Sequence, residues 1–209
     1  MLNSLFGEKI GMTQLFDQNK KVVAVSVIYF SDWVVTQIKT ESNDGYSAIQ
    51  VGRIKKKNRL KTFSLDWLSK KKEYFSVVKE IIINKVDESK FNLGQKLDFS
   101  NISIAEGDLV KIAGTSIGRG YQGVVKRWGF TGGPAAHGSM FHRRPGAIGH
   151  MRTQGEVIKG TKLPGQHGFK RTTLTKLRVV KIDSNIGCLF VKGSVPGKKS
   201  TLLEISKQG

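Results

Sequence analysis

The chain has 209 residues, 38% of them hydrophobic, and carries 35 Lys or Arg against 16 Asp or Glu, a formal net charge of +19. That length and hydrophobic content allow one large or two small domains, while the charge calls for a polyanionic partner. No run of 18 apolar residues occurs, and the N-terminus carries Glu8 and Lys9 early, so neither a membrane span nor a signal peptide is expected.

The first predicted element lies in Gly7-Glu8-Lys9-Ile10-Gly11-Met12-Thr13-Gln14-Leu15-Phe16, short apolar runs punctuated by glycine, with a turn over 17–20. β-Branched and aromatic residues predict strands over 22–30, 33–40 and 46–54, joined by tight turns at 31–32 and 43–45. A basic loop follows: Arg53, Lys55, Lys56, Lys57, Arg59 and Lys61 place six cations in nine positions. Residues 64–72 read as one short helix with Leu65 and Leu68 on one face. A strand is expected over 74–83 and a polar connection over 84–94. Residues 97–104 and 108–114 bracket Glu106-Gly107 in a hairpin-like pattern. Strand patterns resume over 177–182, 188–191 and 201–205. Cys188, the single cysteine, sits in the apolar run Cys188-Leu189-Phe190-Val191, which permits no disulfide framework and points to a reducing compartment.

Residues 116–171 differ in kind. They hold ten Lys or Arg, thirteen of the 24 Gly, three of the four Pro and all four His, against one carboxylate, Glu156. Apolar residues there are too sparse to offset the ordering entropy of so many glycines, and like charges repel. The stretch needs a large, acceptor-rich polyanion, and nucleic acid meets that need better than a membrane surface. The expected architecture is mainly β: a closed β-barrel from 1–115 and 172–209, with 116–171 as a long, largely irregular basic extension inserted between two strands.

Four segments carry a resemblance: GEKIGMTQLF, NDGYSAIQVG, GTSIGRGYQGVVKRWGFTGGPAAHGSMFHRRPGAIG and LFVKGSVPG. In family order and over nearly the whole chain they resemble the bacterial type of the universal large-subunit ribosomal protein number three. The resemblance implies a translation-protein-type β-barrel and an extension threading 23S-type rRNA toward the peptidyl-transferase centre. It also implies primary rRNA binding near the 3′ end, an early role in subunit assembly, and neighbouring large-subunit ribosomal proteins as partners. The chain departs from the family pattern at Arg119, where lysine is usual, at Ala147 for serine and at Gln154 for proline. His150 stands where some members carry a methylated glutamine, so that modification does not carry over.

The expected RNA-binding residues in the extension are Arg119, Lys126, Arg127, Trp128, His137, His142, Arg143, Arg144, His150, Arg152, Lys159, Lys162, His167, Lys170 and Arg171. Outside it they are Arg53, Lys55, Lys56, Lys57 and Arg59. Lysines and arginines neutralise phosphate, and the planar guanidinium also stacks on bases. Tyr121, Trp128, Phe130, Phe141 and Phe169 are spaced so that unpaired bases can stack on them. Glycine lets the backbone approach phosphates closely, and the turn that would form a tip is expected at Pro145-Gly146. Plainer readings compete: the 53–61 cluster as a solvated loop, and Trp128 and Phe130 packed on the barrel, as Trp33 and Trp67 are expected to be. The histidines follow no zinc-site spacing, no nucleophile–base pair suggests catalysis, and no nucleotide-loop motif or cofactor site is present. A general RNA chaperone or architectural RNA-binding protein remains the alternative that composition alone leaves open.

Overall fold

The computed structural model describes residues 2–208 apart from 3, 18–19, 31 and 84–89, and of residue 100 the backbone only. In chain order the strands are β1 (Ser4–Phe16), β2 (Val22–Tyr29), β3 (Trp33–Lys39), β4 (Ala48–Ile54), β5 (Phe75–Ile82), β6 (Leu109–Thr115), β7 (Tyr121–Gln122), β8 (Gly165–Gln166), β9 (Arg171–Asp183), β10 (Cys188–Lys192) and β11 (Leu202–Lys207). Single helical turns are α1 (Glu41–Asp44), α2 (Asp66–Ser69), α3 (Lys71–Tyr74) and α4 (Val124–Trp128). Two compact units result, one from residues 1–115 and 171–209, the other from 116–170.

In the first unit six antiparallel strands close into a barrel, in the order β1-β11-β6-β9-β10-β2. β1 makes closure possible by serving two neighbours in succession: residues 4–8 pair with β11, and residues 8–16 with β2. A bulge between Lys9 and Gly11 marks the changeover. There the Lys9 ammonium donates to the carbonyls of Val195 and Gly197, each at 2.8 Å, and burial pulls its pKa down.

Three sequence expectations need correction. The strands over 33–40, 46–54 and 74–83 do not enter the barrel; β3, β4 and β5 form a separate antiparallel sheet. The reason lies in β3, where Trp33, Val34, Val35 and Thr36 are all buried. Trp33 and Val35 share a core with Leu5, Phe6 and Ile28 of the barrel. Val34 faces the other way, onto Trp67 and Phe75. A strand buried on both faces belongs between two layers, and a barrel wall with a solvated exterior does not offer that. Trp33 and Trp67 are 2% and 5% exposed.

The helix expected over 64–72 breaks at Lys70 into α2 and α3, and Trp67 stacks on Tyr74 at 4.7 Å across the break. Residues 97–104 form no strand. Asp98 and Asn101 bond reciprocally around a 3-10 turn, which takes up the donors a ladder would use, leaving isolated bridges at Lys96 and Ile102. Elsewhere β9 begins six residues earlier than the apolar pattern suggested, because its first half is polar and exposed and Lys176 bulges out at φ 58°. The turn expected over 17–20 closes through the Lys20 N–H to the Asp17 carbonyl, although residues 18–19 lie outside the described residues. Residue 31 of the 31–32 turn and residues 84–89 of the polar connection also lie outside them.

Barrel and sheet are joined by a charge pair as well as by packing. Arg53 of β4 donates to the carboxylate of Glu8 in β1, and both side chains are about 15% exposed or less. Burial disfavours the Glu8 anion, yet the Ser200 hydroxyl, Arg53 and Lys56 outweigh it and hold the carboxyl below its ordinary 4.5. A depressed carboxyl pKa contributes stability above the unfolded value, and that stability is lost as pH falls through the folded value. Glu8→Gln should therefore lower the urea midpoint at neutral pH, through a loss of stability between the ~1 kcal/mol of an exposed pair and the ~3–5 kcal/mol of a buried one. Below pH 4.5 the gap between the variant and the parent should close. A gap of constant size across this range would show that ionisation of Glu8 is not its source.

Candidate nucleic-acid interface

Residues 116–170 make up the second unit, and of these 55 residues one, Val124, is buried. What holds the backbone is a short stem. The Ser116 N–H donates to the Lys170 carbonyl at 2.9 Å, the Arg119 N–H to His167 at 2.8 Å, and the His167 N–H to Gly120 at 2.9 Å. β7 and β8 extend this ladder by two residue pairs. The stem closes on Gly168, at φ +72°, where a Cβ would overlap the Ile117 carbonyl well inside van der Waals contact.

Beyond the stem, α4 turns the chain and ends at Gly129 in the left-handed region, φ +75°. The Leu163 carbonyl accepts from the Arg127 guanidinium at 2.6 Å and from the Trp128 indole N–H at 2.8 Å. The Arg127 guanidinium lies 4.9 Å from the Trp128 ring centroid, so these neighbours clasp the returning segment together. Trp128 stays 43% exposed.

A second fastening spans 132–146. The Gly133 N–H donates to the His142 carbonyl at 2.6 Å, and a Cβ on Gly132 would stand 2.8 Å from that same oxygen. The Phe141 ring lies over Gly133 and Gly146, using the space their missing side chains leave. The turn itself sits at His142-Arg143, closed by the Arg144 N–H to the Phe141 carbonyl at 3.2 Å, just before the Pro145-Gly146 pair where the sequence placed it. His137 and His142 both hold positive φ, 58° and 47°, a conformation that costs a non-glycine residue ~1–3 kcal/mol.

This backbone presents cations outward. The side chains of Arg119, Lys126, Arg143, Arg144, Arg152, Lys159 and Lys162 are exposed and make no hydrogen bond or ion pair among the described residues. His137, His142 and His150 are exposed, His167 is half-buried, and Lys170 is exposed at the stem. Rings lie among the cations: Tyr121 and Phe169 are each 73% exposed and Phe141 41%, whereas Phe130 is half-buried. Met140, at 82%, and Met151, at 91%, are apolar surfaces that the sequence reading missed. Their only signal was apolar character with no helical or strand period.

The barrel-side candidates behave differently. Arg53 is taken up by Glu8. Arg59 lies 2.6 Å from Asp32 and 5.7 Å from the Tyr29 ring centroid, its approach to the carboxylate Coulombic and not aligned as a hydrogen bond. Lys55 donates to the Lys72 carbonyl, and Arg171 pairs with Glu204 at 2.6 Å on the barrel. Lys56 and Lys57 remain exposed.

Residues 69–188, which take in the whole of this second unit, match the family model described as Ribosomal protein L3. Large ribosomal subunit protein uL3 of Leptospira biflexa is 42% identical over 211 residues, covering all of both chains. The chain belongs to the ribosomal protein L3 family. Large ribosomal subunit protein uL3c of Phaeodactylum tricornutum is 42% identical, with 98% of each chain covered. Large ribosomal subunit protein uL3 of Geobacter sulfurreducens is 38% identical, with 97% of this chain and 96% of the relative covered. In this member of the L3 family the likeness thus spans barrel, sheet and basic unit alike.

Because the stem is held by backbone bonds around Gly168, Gly168→Ala should open it. Hydrogen exchange at the Arg119 and His167 amides should accelerate roughly tenfold or more. Gly155→Ala, at a position where a Cβ meets nothing within 4 Å, should leave both amides unchanged. Equal exchange in the two variants would show that the stem does not depend on this close approach.

Proposed function

We propose that the chain is a structural, non-enzymatic constituent of the large ribosomal subunit that binds 23S-type rRNA through residues 116–170. It binds near the 3′ end of that rRNA, acts early in subunit assembly, and carries the His142-Arg143 turn toward the peptidyl-transferase centre. The observation that carries this reading is the combination of seven exposed, unpaired cations with a single buried side chain in a unit of 55 residues. Such a surface neutralises phosphates from many directions and has little apolar core to protect. Exposed rings between the cations offer stacking faces worth roughly 1–3 kcal/mol per unpaired base. Glycines at close backbone approaches suit RNA of complex shape better than a regular duplex, whose grooves are read by a helix or strand. Membership of the L3 family, with relatives named as large ribosomal subunit proteins, selects a dedicated ribosomal component over a general RNA chaperone.

Arg143 and Lys56 separate the two basic regions. Arg143 is unpaired at the turn, while Lys56 stands among other lysines beside Glu8. In subunits reconstituted with each variant, Arg143→Glu should cut assembly yield or peptide-bond formation by ~10-fold or more, since it removes a charge-assisted bond and adds repulsion among phosphates. Lys56→Glu should stay within about twofold, because neighbouring cations share its task. If Lys56→Glu is the more damaging, the functional centre lies in the barrel-side cluster.

A further inference from the structure

Past its pairing with β11, which ends at Glu8, and past the bulge after Lys9, β1 runs on for six residues, Gly11-Met12-Thr13-Gln14-Leu15-Phe16. One side of this segment pairs with β2, and among the described residues no strand lies along the other. It therefore offers an edge of backbone donors and acceptors. Phe16 and Val22 are cross-strand partners, and Met12 shares their face by the two-residue period. Their exposures are 74%, 57% and 53%. Neither 11–16 nor 22–26 contains a charged residue, although the chain as a whole carries +19. Asp17, Lys20 and Lys21 sit only in the loop at the far end of the hairpin.

Free edges are usually blunted by lysine, proline or a cover, and between Gly11 and Phe16 there is neither lysine nor proline. RNA is a poor occupant for such a ribbon. With no cation on it, phosphates would lose hydration with no counter-charge in return. A protein strand satisfies both features at once, since its backbone completes the ladder and its side chains cover the apolar face. We propose that the β1–β2 hairpin docks an extended, uncharged, apolar segment of a neighbouring protein, which adds a strand along the outer edge of β1 and packs on Met12, Phe16 and Val22. This inference rests on the proposed place of the chain in the large subunit.

The test places the photo-crosslinker p-benzoylphenylalanine at Phe16 in one full-length chain and at Tyr121 in another, and irradiates purified large subunits containing each. Position 16 should give a protein adduct whose peptide is extended and apolar, and position 121 an rRNA adduct. At position 16 an rRNA adduct, an adduct with a second copy of this chain, or none at all overturns the docking proposal while leaving the ribosomal reading standing. A chain that never enters the subunit overturns both. The double variant Met12→Glu with Phe16→Glu should lower the adducted protein's content in reconstituted subunits by roughly tenfold, with rRNA binding by the free chain unchanged. Unchanged content of that protein also overturns the proposal.

Discussion

Ordering a residue costs roughly 1–2 kcal/mol of backbone entropy, and a buried valine returns roughly 1.5–3 kcal/mol. Between Ser116 and Lys170 one valine is buried. The unit is therefore fastened at few points: the stem at Gly168, the Leu163 carbonyl shared by Arg127 and Trp128, and the Phe141 ring over Gly133 and Gly146. Each fastening joins backbone to backbone or backbone to one or two side chains, and Arg119, Lys126, Arg143, Arg144, Arg152, Lys159 and Lys162 keep no side-chain partner among the described residues. On the proposed reading the rest of the ordering free energy comes from another molecule, and the surface on offer, guanidinium and ammonium groups with rings among them, suits a folded polyanion with accessible bases.

The two units treat charge in opposite ways. In the barrel unit Arg53, Arg59, Lys39, Arg171 and Lys207 each have a carboxylate beside them. Glu8 and Asp108 are held below their ordinary pKa values against the opposing effect of burial, Glu8 chiefly by the Ser200 hydroxyl and Arg53, Asp108 chiefly by Lys207 and the Ala105 N–H. That pairing gives Arg53 and Arg59 a carboxylate neighbour within the barrel unit. In the second unit Glu156 is the sole carboxylate, and the ion pairs found among the described residues all lie elsewhere. The uncharged β1–β2 ribbon is a third kind of surface, suited to neither counter-ion nor phosphate.

Composition made the basic unit legible in the sequence, because glycine and arginine in such density leave few alternatives. Strand patterning likewise revealed most of the barrel. Partner choice was not legible. The run from Trp33 to Thr36 reads as a strand anywhere in the chain, and only its burial on both faces places it between barrel and α2–α3. Asp98 and Asn101 concealed a turn inside an apolar run, and the polar start of β9 concealed half a strand. Within the extension, the identity of Arg127 indicated phosphate neutralisation, and its geometry adds a bond to the Leu163 carbonyl that the sequence did not show. Long-range backbone contacts of that kind leave no local pattern to read.

The central claim is that residues 116–170 take their lasting order from RNA. Limited trypsin digestion of the full chain, alone and bound to 23S-type rRNA, tests it most directly. In the free protein, cleavage should fall first between Arg119 and Arg171 while the barrel unit survives, and bound rRNA should protect those same sites. Equal resistance of the segment with and without RNA would contradict the claim, because it would mean that the unit holds itself together.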